Sequence, residues 1–365
     1  MEWRRLSNRV REWRDEADEH IGDRAGWRRG FAIAGAGLVV LILLGMYWSR
    51  EPKLFSVPAV TARLLALKSG VAPAPGSATA AALVQIVGTL LDKPGGFLSN
   101  DIAPPGVWLD NMPNWEHGVL RQARDMTHVL HQSLGRIPGE NGHEDSDLGR
   151  AEPRLNFSSF SWLLPSSESE YRDAQGYLRS YLLRLQQTGP GRAYFNANAA
   201  NLERWLGRVT QRLGDLSQRL SACVRARENP ALAGDLSATS GVTPPNQVDD
   251  IFFEARGSAW ALLHLLRAAE IDFADVLRER NAQATMHQII HELEATQEPI
   301  NSPLILNGSG FGMLANHSLV MASYIARADA TAINLRALLG NHPPGAAVAV
   351  PDRTSEIDNR PATQE

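Results

Sequence analysis

Residues 30–48 (GFAIAGAGLVVLILLGMYW) run for nineteen residues without a charged side chain, and this stretch constrains the fold more than any other. At about 1.5 Å per helical residue the run is roughly 28 Å long, close to the hydrocarbon thickness of a bilayer. Trp27 precedes it and Tyr47 and Trp48 end it, where amphipathic rings favour the headgroup level. Arg28, Arg29 and Arg50 close the run on both sides. The pattern predicts a single transmembrane helix at 27–49, with a large portion of chain behind it outside the hydrocarbon.

Orientation follows from the flanks. Met46-Tyr47-Trp48-Ser49-Arg50 has no small-x-small pattern for a signal peptidase, so the span reads as an uncleaved anchor. Arg24, Arg28 and Arg29 lie close before it and Arg50 and Lys53 close after it, which favours a cytoplasmic N-terminus. The large C-terminal part is then extracytoplasmic, in the periplasm of a Gram-negative cell. Cys223 is the only cysteine, so no intramolecular disulfide forms, which suits either compartment for a domain of this size. The formal net charge of −4 leaves no basic stripe for nucleic acid.

Ahead of the anchor, Trp3, Leu6, Val10, Trp13, Ala17 and Ile21 recur at steps of three and four. That is one apolar helical face, and it suits a cytoplasmic segment (1–26) that lies in the membrane interface or pairs with its own copy. Behind the anchor, helical patterns alternate with Pro/Gly punctuation. Expected helices cover 57–68, 78–92 capped by Ser77, 114–135 with Asn114 as N-cap, a segment after the Ser167/Glu170 pair, 195–227, 247–277, 282–296 and 312–339. Glu140 to Pro153 shows no periodicity and reads as a charged loop. Leu202, Leu206, Val209, Leu213, Leu216, Leu220 and Cys223 alternate steps of four and three, a seam for one antiparallel neighbour or one coiled-coil partner. Cys223 there reads as a small buried hydrophobe. Residues 341–365, with four prolines and little to bury, are expected to be a disordered tail. Only Pro303 to Leu306 looks strand-like, and one strand makes no sheet. The predicted fold class is all-α: a single N-terminal transmembrane helix followed by a multi-helix bundle spanning 50–340.

Chemistry-bearing residues concentrate in Lys93 to Glu116 (KPGGFLSNDIAPPGVWLDNMPNWE), a non-periodic stretch longer than most loops in compact domains. Asn100, Asp101, Trp108, Asp110, Asn111, Asn114, Trp115 and Glu116 are its candidate binding residues, since such loops on rigid scaffolds often carry binding surfaces. The plainer reading is a packed loop whose Asx side chains bond their own backbone. His287 and His291, at i and i+4, and Glu294 are weak candidates for a metal, but Gln288 stands where a zincin motif needs glutamate. The expectation is no metal and no cofactor. Gly308 to Gly312 lacks the lysine and spacing of a phosphate loop, and no nucleophile motif surrounds any serine or Cys223.

Residues 93–125 (KPGGFLSNDIAPPGVWLDNMPNWEHGVLRQARD) and 315–339 (ANHSLVMASYIARADATAINLRALL) resemble the bacterial domain-of-unknown-function 2333 family. The resemblance extends from the anchor to about residue 340 and implies a membrane-anchored bacterial protein; the family supplies no catalytic residue to carry over. Three functions stay open. The first is an inner-membrane-anchored helical module that binds or scaffolds another envelope component, or itself. The second is an envelope hydrolase or metal-dependent enzyme using Asp101, Asp110 and Glu116. The third is a lipid or small-ligand binding domain with a cavity near Trp108 and Trp115.

Overall fold

The computed structural model describes residues 27–66, 72–136, 143–228, 248–298 and 317–340. The segments expected at 1–26 and 341–365, the Gly308–Gly312 loop, Pro303 to Leu306 and the Cys223 side chain lie outside what it describes. Every regular element among the described residues is helical. Helix α1 (27–48) is long and apolar enough to cross a membrane, and its lipid-length stretch is almost wholly unburied by the rest of the chain. Then follow α2 (Val57–Leu64), α3 (Ser77–Asp92), a 3-10 turn (Gly106–Trp108), α4 (Asn111–Val129) running into a π turn (Leu130–Leu134), α5 (Ser146–Leu155) and α6 (Ser167–Leu185). The rest are α7 (Ala199–Glu228), α8 (Val248–Asp272), α9 (Ala274–Glu279), α10 (Gln283–Ala295) and α11 (His317–Gly340).

Helix α8 is the hub, packing on α2, α3, α4, α7, α9, α10 and α11. Its sequence is apolar around most of its circumference, and Ala259 to Leu263 and Leu265, Leu266, Ala268 and Ala269 are all buried. Contact with α4 is closest where two glycines meet the facing backbone. A Cβ at Gly118 would stand 2.1 Å from the Glu254 carbonyl oxygen, and one at Gly257 2.0 Å from that of Trp115. Beside this crossing Trp115 and Trp260 pack with ring centroids 5.2 Å apart. The heptad seam of α7 is occupied from within the chain. Leu202, Leu206, Val209, Leu213, Leu216 and Leu220 are buried, and α11 brings Met321, Ile325, Ala328, Ala332, Leu335 and Leu339 to meet them. Gly207 faces Arg336 and Gly214 faces Asp329, so the two helices run antiparallel.

Several boundaries differ from expectation for local reasons. Glu140 to Pro153 is not all loop: α5 starts at Ser146 because the Asp145 side chain accepts from the backbone N–H of Asp147 and Leu148. Leu148, Ala151 and Leu155 give it a short buried face. Helix α4 begins three residues before Asn114, with Asp110 as N-cap. Helix α6 is capped by Ser166, whose Oγ accepts from Ser169 N–H; Ser167 is buried and its hydroxyl donates within the preceding loop. Ser77 does not cap α3. Asp272, at the far end of α8, accepts from the N–H groups of Gly76, Ala78 and Thr79 at 2.9, 3.4 and 2.7 Å. Finally, the helix expected over 247–277 breaks after Asp272, and Leu277 belongs to the separate α9.

Candidate functional site

The connection from α3 to α4 is held by one buried ion pair. Lys93, just past the end of α3, and Glu116, in the second turn of α4, meet at 2.5 Å with both side chains almost wholly buried. The glutamate accepts from Leu98 N–H at 2.8 Å and from Ser99 N–H and Oγ at 2.9 and 2.5 Å, while the ammonium also donates to the Gly96 carbonyl. Burial pushes the Glu116 carboxyl up, against the downward pull of Lys93 and the donors from Ser99 and Leu98. With both charges paired and each carboxylate oxygen bonded, the pair fixes the loop and faces no solvent.

The eight candidate binding residues separate on this frame. Trp115 is core, and Glu116 is buried as described. Asp110 is exposed and accepts from Asn111 N–H; the Asn111 Oδ1 is buried. Asn114 donates to the Asp110 carbonyl and to Asp250 Oδ1 at 2.6 Å, fastening the start of α4 to the start of α8. Trp108 lies in the 3-10 turn with 54 % of its surface exposed. Asn100 and Asp101 are the two that open onto a cavity. The cavity, about 330 Å³, is lined by Trp48, Asn100, Asp101, Ile102, Ala103, Pro104, Trp162 and Glu168.

This cleft joins three parts of the chain. Trp48 is the last residue of α1, residues 100–104 come from the α3–α4 connection, and Trp162 and Glu168 come from the loop before α6 and from its first turn. Asn100 binds them together by donating its Nδ2 to the Ser161 carbonyl at 2.8 Å and to Glu168 Oε2 at 2.9 Å. Its Oδ1 is buried with no hydrogen-bond partner. Burial and the neighbouring Glu168 carboxylate raise the Asp101 carboxyl, and Lys93 pulls it back down. A concave surface with two acidic groups and two indole rings attracts cationic groups by charge and by the negative ring faces.

Helix α1 is fastened to the rest of the chain beside this cleft. Residues 41, 44, 45 and 48 form the one face of α1 that is at least partly covered. A methyl group at Gly45 would lie 3.5 Å from Pro105 Cβ and 3.6 Å from Leu109 Cδ2, and one at Gly95 would strike the Trp48 ring. Past Trp48, the buried Arg256 guanidinium donates to Glu51, from Nε to Oε1 at 2.8 Å and from Nη2 to Oε2 at 2.6 Å. Phe55 donates its N–H to His264 Nε2 at 3.0 Å and stacks on that ring at 3.7 Å. Trp48, Trp162 and Glu168 were outside the sequence-level candidates. The apolar run Phe160 to Pro165 (FSWLLP), whose large side chains are exposed, is a signal that could have pointed to Trp162.

The histidine pair of α10 does not gather ligands. His287 faces Glu270 at 3.0 Å, His291 stands 3.9 Å from Glu294, and Glu294 pairs with Arg267 at 2.5 Å. Among the described residues no group of three or more His, Cys, Asp or Glu side chains is arranged to hold a metal ion. A separate cluster missed in the sequence joins α4 to α5: Glu152 accepts from or pairs with His128 and His131 through their Nδ1 atoms at 2.7 and 2.5 Å. Burial acts to raise the Glu152 carboxyl, but the two imidazoles outweigh it and hold it low.

A family model described as an uncharacterized protein conserved in bacteria, DUF2333, matches residues 23–342. No curated protein and no solved structure matches the chain.

Proposed function

The chain belongs to the DUF2333 family of bacterial proteins, and from that premise we propose that it is an uncleaved, inner-membrane-anchored binding module whose helical domain (50–340) lies in the periplasm and recruits another envelope component. The observation that carries this reading is the cleft built jointly by the end of the anchor and the helical domain, with Trp48 on one side and Asn100, Asp101, Trp162 and Glu168 on the others. Its chemistry suits a partner that presents a basic group, an ammonium or guanidinium, at the membrane surface. Two of the three carboxylates offered for acid–base work have other duties, Glu116 neutralising Lys93 and Asp110 capping α4, and only Asp101 lines the cleft. The heptad seam is filled by α11, so self-association through it has lost its support.

Two measurements test the reading. Alkaline phosphatase fused after Asn341 is expected to be active and a fluorescent reporter that matures only in the cytoplasm dark; the reverse pattern overturns the topology. A photo-crosslinking benzoylphenylalanine at Ile102, on the cleft rim, is expected to capture a discrete protein from intact cells, and Asp101→Asn with Glu168→Gln is expected to abolish the product. A product unchanged by that double substitution, or no product at all, overturns the binding role of the cleft.

A further inference from the structure

The cleft is rimmed by two loops whose apolar side chains point outward without cover. In the first, Ile102, Val107 and Trp108 are each more than half exposed; in the second, Trp162 and Leu163 are more than half exposed and Leu164 is 93 % exposed. The Asn100 to Ser161 bond ties the two loops side by side, and Trp162 shares the cleft with Trp48. Exposed leucine or tryptophan occurs singly on most proteins, but a contiguous group of this kind marks an interaction surface.

The height of this surface relative to the anchor identifies its occupant. Pro105 and Leu109 contact α1 at Gly45, three residues inside its Trp48 end, which is about 4.5 Å deeper along the helix axis. Val107 and Trp108 sit in the 3-10 turn between those two contacts. When α1 spans a bilayer, its end carries Tyr47 and Trp48, with the Arg50 guanidinium 5.7 Å from the Tyr47 ring centroid. The first loop therefore reaches the headgroup level of the same leaflet, and the second loop is bound to it.

We propose that residues 105–109 and 160–164 are a second membrane contact, seated in the lipid interface around the outer end of the anchor, with Ile102 left on the cleft side. Indole rings and leucine side chains at that depth bury their apolar surface among the upper acyl chains. The acidic character of the adjoining cleft means that the contact is driven by apolar surface and does not depend on anionic lipid. The inference rests on α1 being a membrane span and is independent of what the cleft binds.

The test uses the full chain reconstituted in phosphatidylcholine vesicles and in mixed phosphatidylcholine–phosphatidylglycerol vesicles. Benzoylphenylalanine is placed singly at Val107, at Leu164, at Ile42 in the anchor, and at Leu183 on the exposed side of α6. After irradiation, mass spectrometry is expected to find phospholipid adducts at positions 42, 107 and 164 in both vesicle types and only background at 183. Adducts at 42 with background at 107 and 164 overturn the second contact and leave the anchor standing. Crosslinks from 107 or 164 to a second copy, without lipid, also overturn it. Adducts confined to the anionic vesicles overturn the apolar basis of the contact. Background at 42 overturns the anchor itself and the inference with it.

Discussion

His264 is neutral in the fold because its two ring nitrogens have opposite duties. Nδ1 donates to the Trp260 carbonyl at 2.7 Å, so Nε2 carries the lone pair that accepts from Phe55 N–H. Burial pushes its pKa down to about 4 from 6.5, with the Trp260 carbonyl resisting and Arg267 assisting. The folded value lies below the unfolded one, so the unfolded chain takes up a proton first as pH falls. The stability this residue provides is complete above pH 6.5 and is lost progressively toward about pH 4, a total of roughly 3 kcal/mol. His264→Gln keeps an acceptor for Phe55 and has no titration, so its unfolding midpoint in detergent should vary less between pH 7 and 5 than that of the unsubstituted chain. Equal slopes would show that His264 does not set the acid limit. Nothing about this histidine was visible in the sequence, where it is one polar residue in an apolar helix. Its role depends on a backbone N–H that comes from 209 residues away. Glu116 is comparable: its spacing suggested a loop carboxylate at a surface, and only the fold brings Lys93 and the Leu98 and Ser99 donors around it.

At the scale of elements, what a single helix's own residues determine could be read in advance, and what a distant group determines could not. The charge-free run of α1, the α7 seam and the apolar surround of α8 are patterns within single helices, and each is a helix in the fold. The start of α3 was misassigned because its cap is Asp272, contributed from the end of α8. Helix α5 is hard to read from sequence because Pro153 and four charged residues hide a face of only three apolar side chains. The seam illustrates the remaining ambiguity, since the same spacing serves an internal neighbour or an external partner. With α11 in place, Leu213 is fully buried, so Leu213→Ala should cost on the order of 2–5 kcal/mol. Thermal unfolding of the full chain in detergent measures this, and an unchanged midpoint would mean that α11 leaves the seam in solution. The candidate loop was partly legible in the same sense: Asn100 and Asp101 do line a cleft, while the residues completing it lie in α1, in the loop before α6 and in α6.

For the whole molecule, the structural question is whether α1 is merely tethered to the domain or built into it. A tether would leave the chain after Trp48 free, yet Glu51 is clamped by Arg256 and Phe55 is stacked on His264. Within α1 itself, the contacts are confined to the C-terminal end, where Gly45 lies against Pro105 and Leu109 and Trp48 lies against Gly95. The N-terminal part of α1, from Phe31 to Val40, is exposed to whatever surrounds it and makes no such contact with the domain. These two halves should respond differently to substitution. Exchanging residues 31–40 for an unrelated apolar helix of the same length should preserve both membrane insertion and the thermal midpoint of the domain. Gly45→Leu adds a branched side chain where only a methyl group has room, and overpacking of this kind typically costs about 1–3 kcal/mol. The cost should appear as a lower midpoint together with a weaker crosslink from Ile102, because Pro105 and Leu109 can move away only by carrying residues 101–104 with them. A Gly45→Leu chain with normal midpoint and normal crosslink would show that the anchor and the cleft are mechanically separate, and Trp48 would then be a neighbour of the site instead of one of its walls.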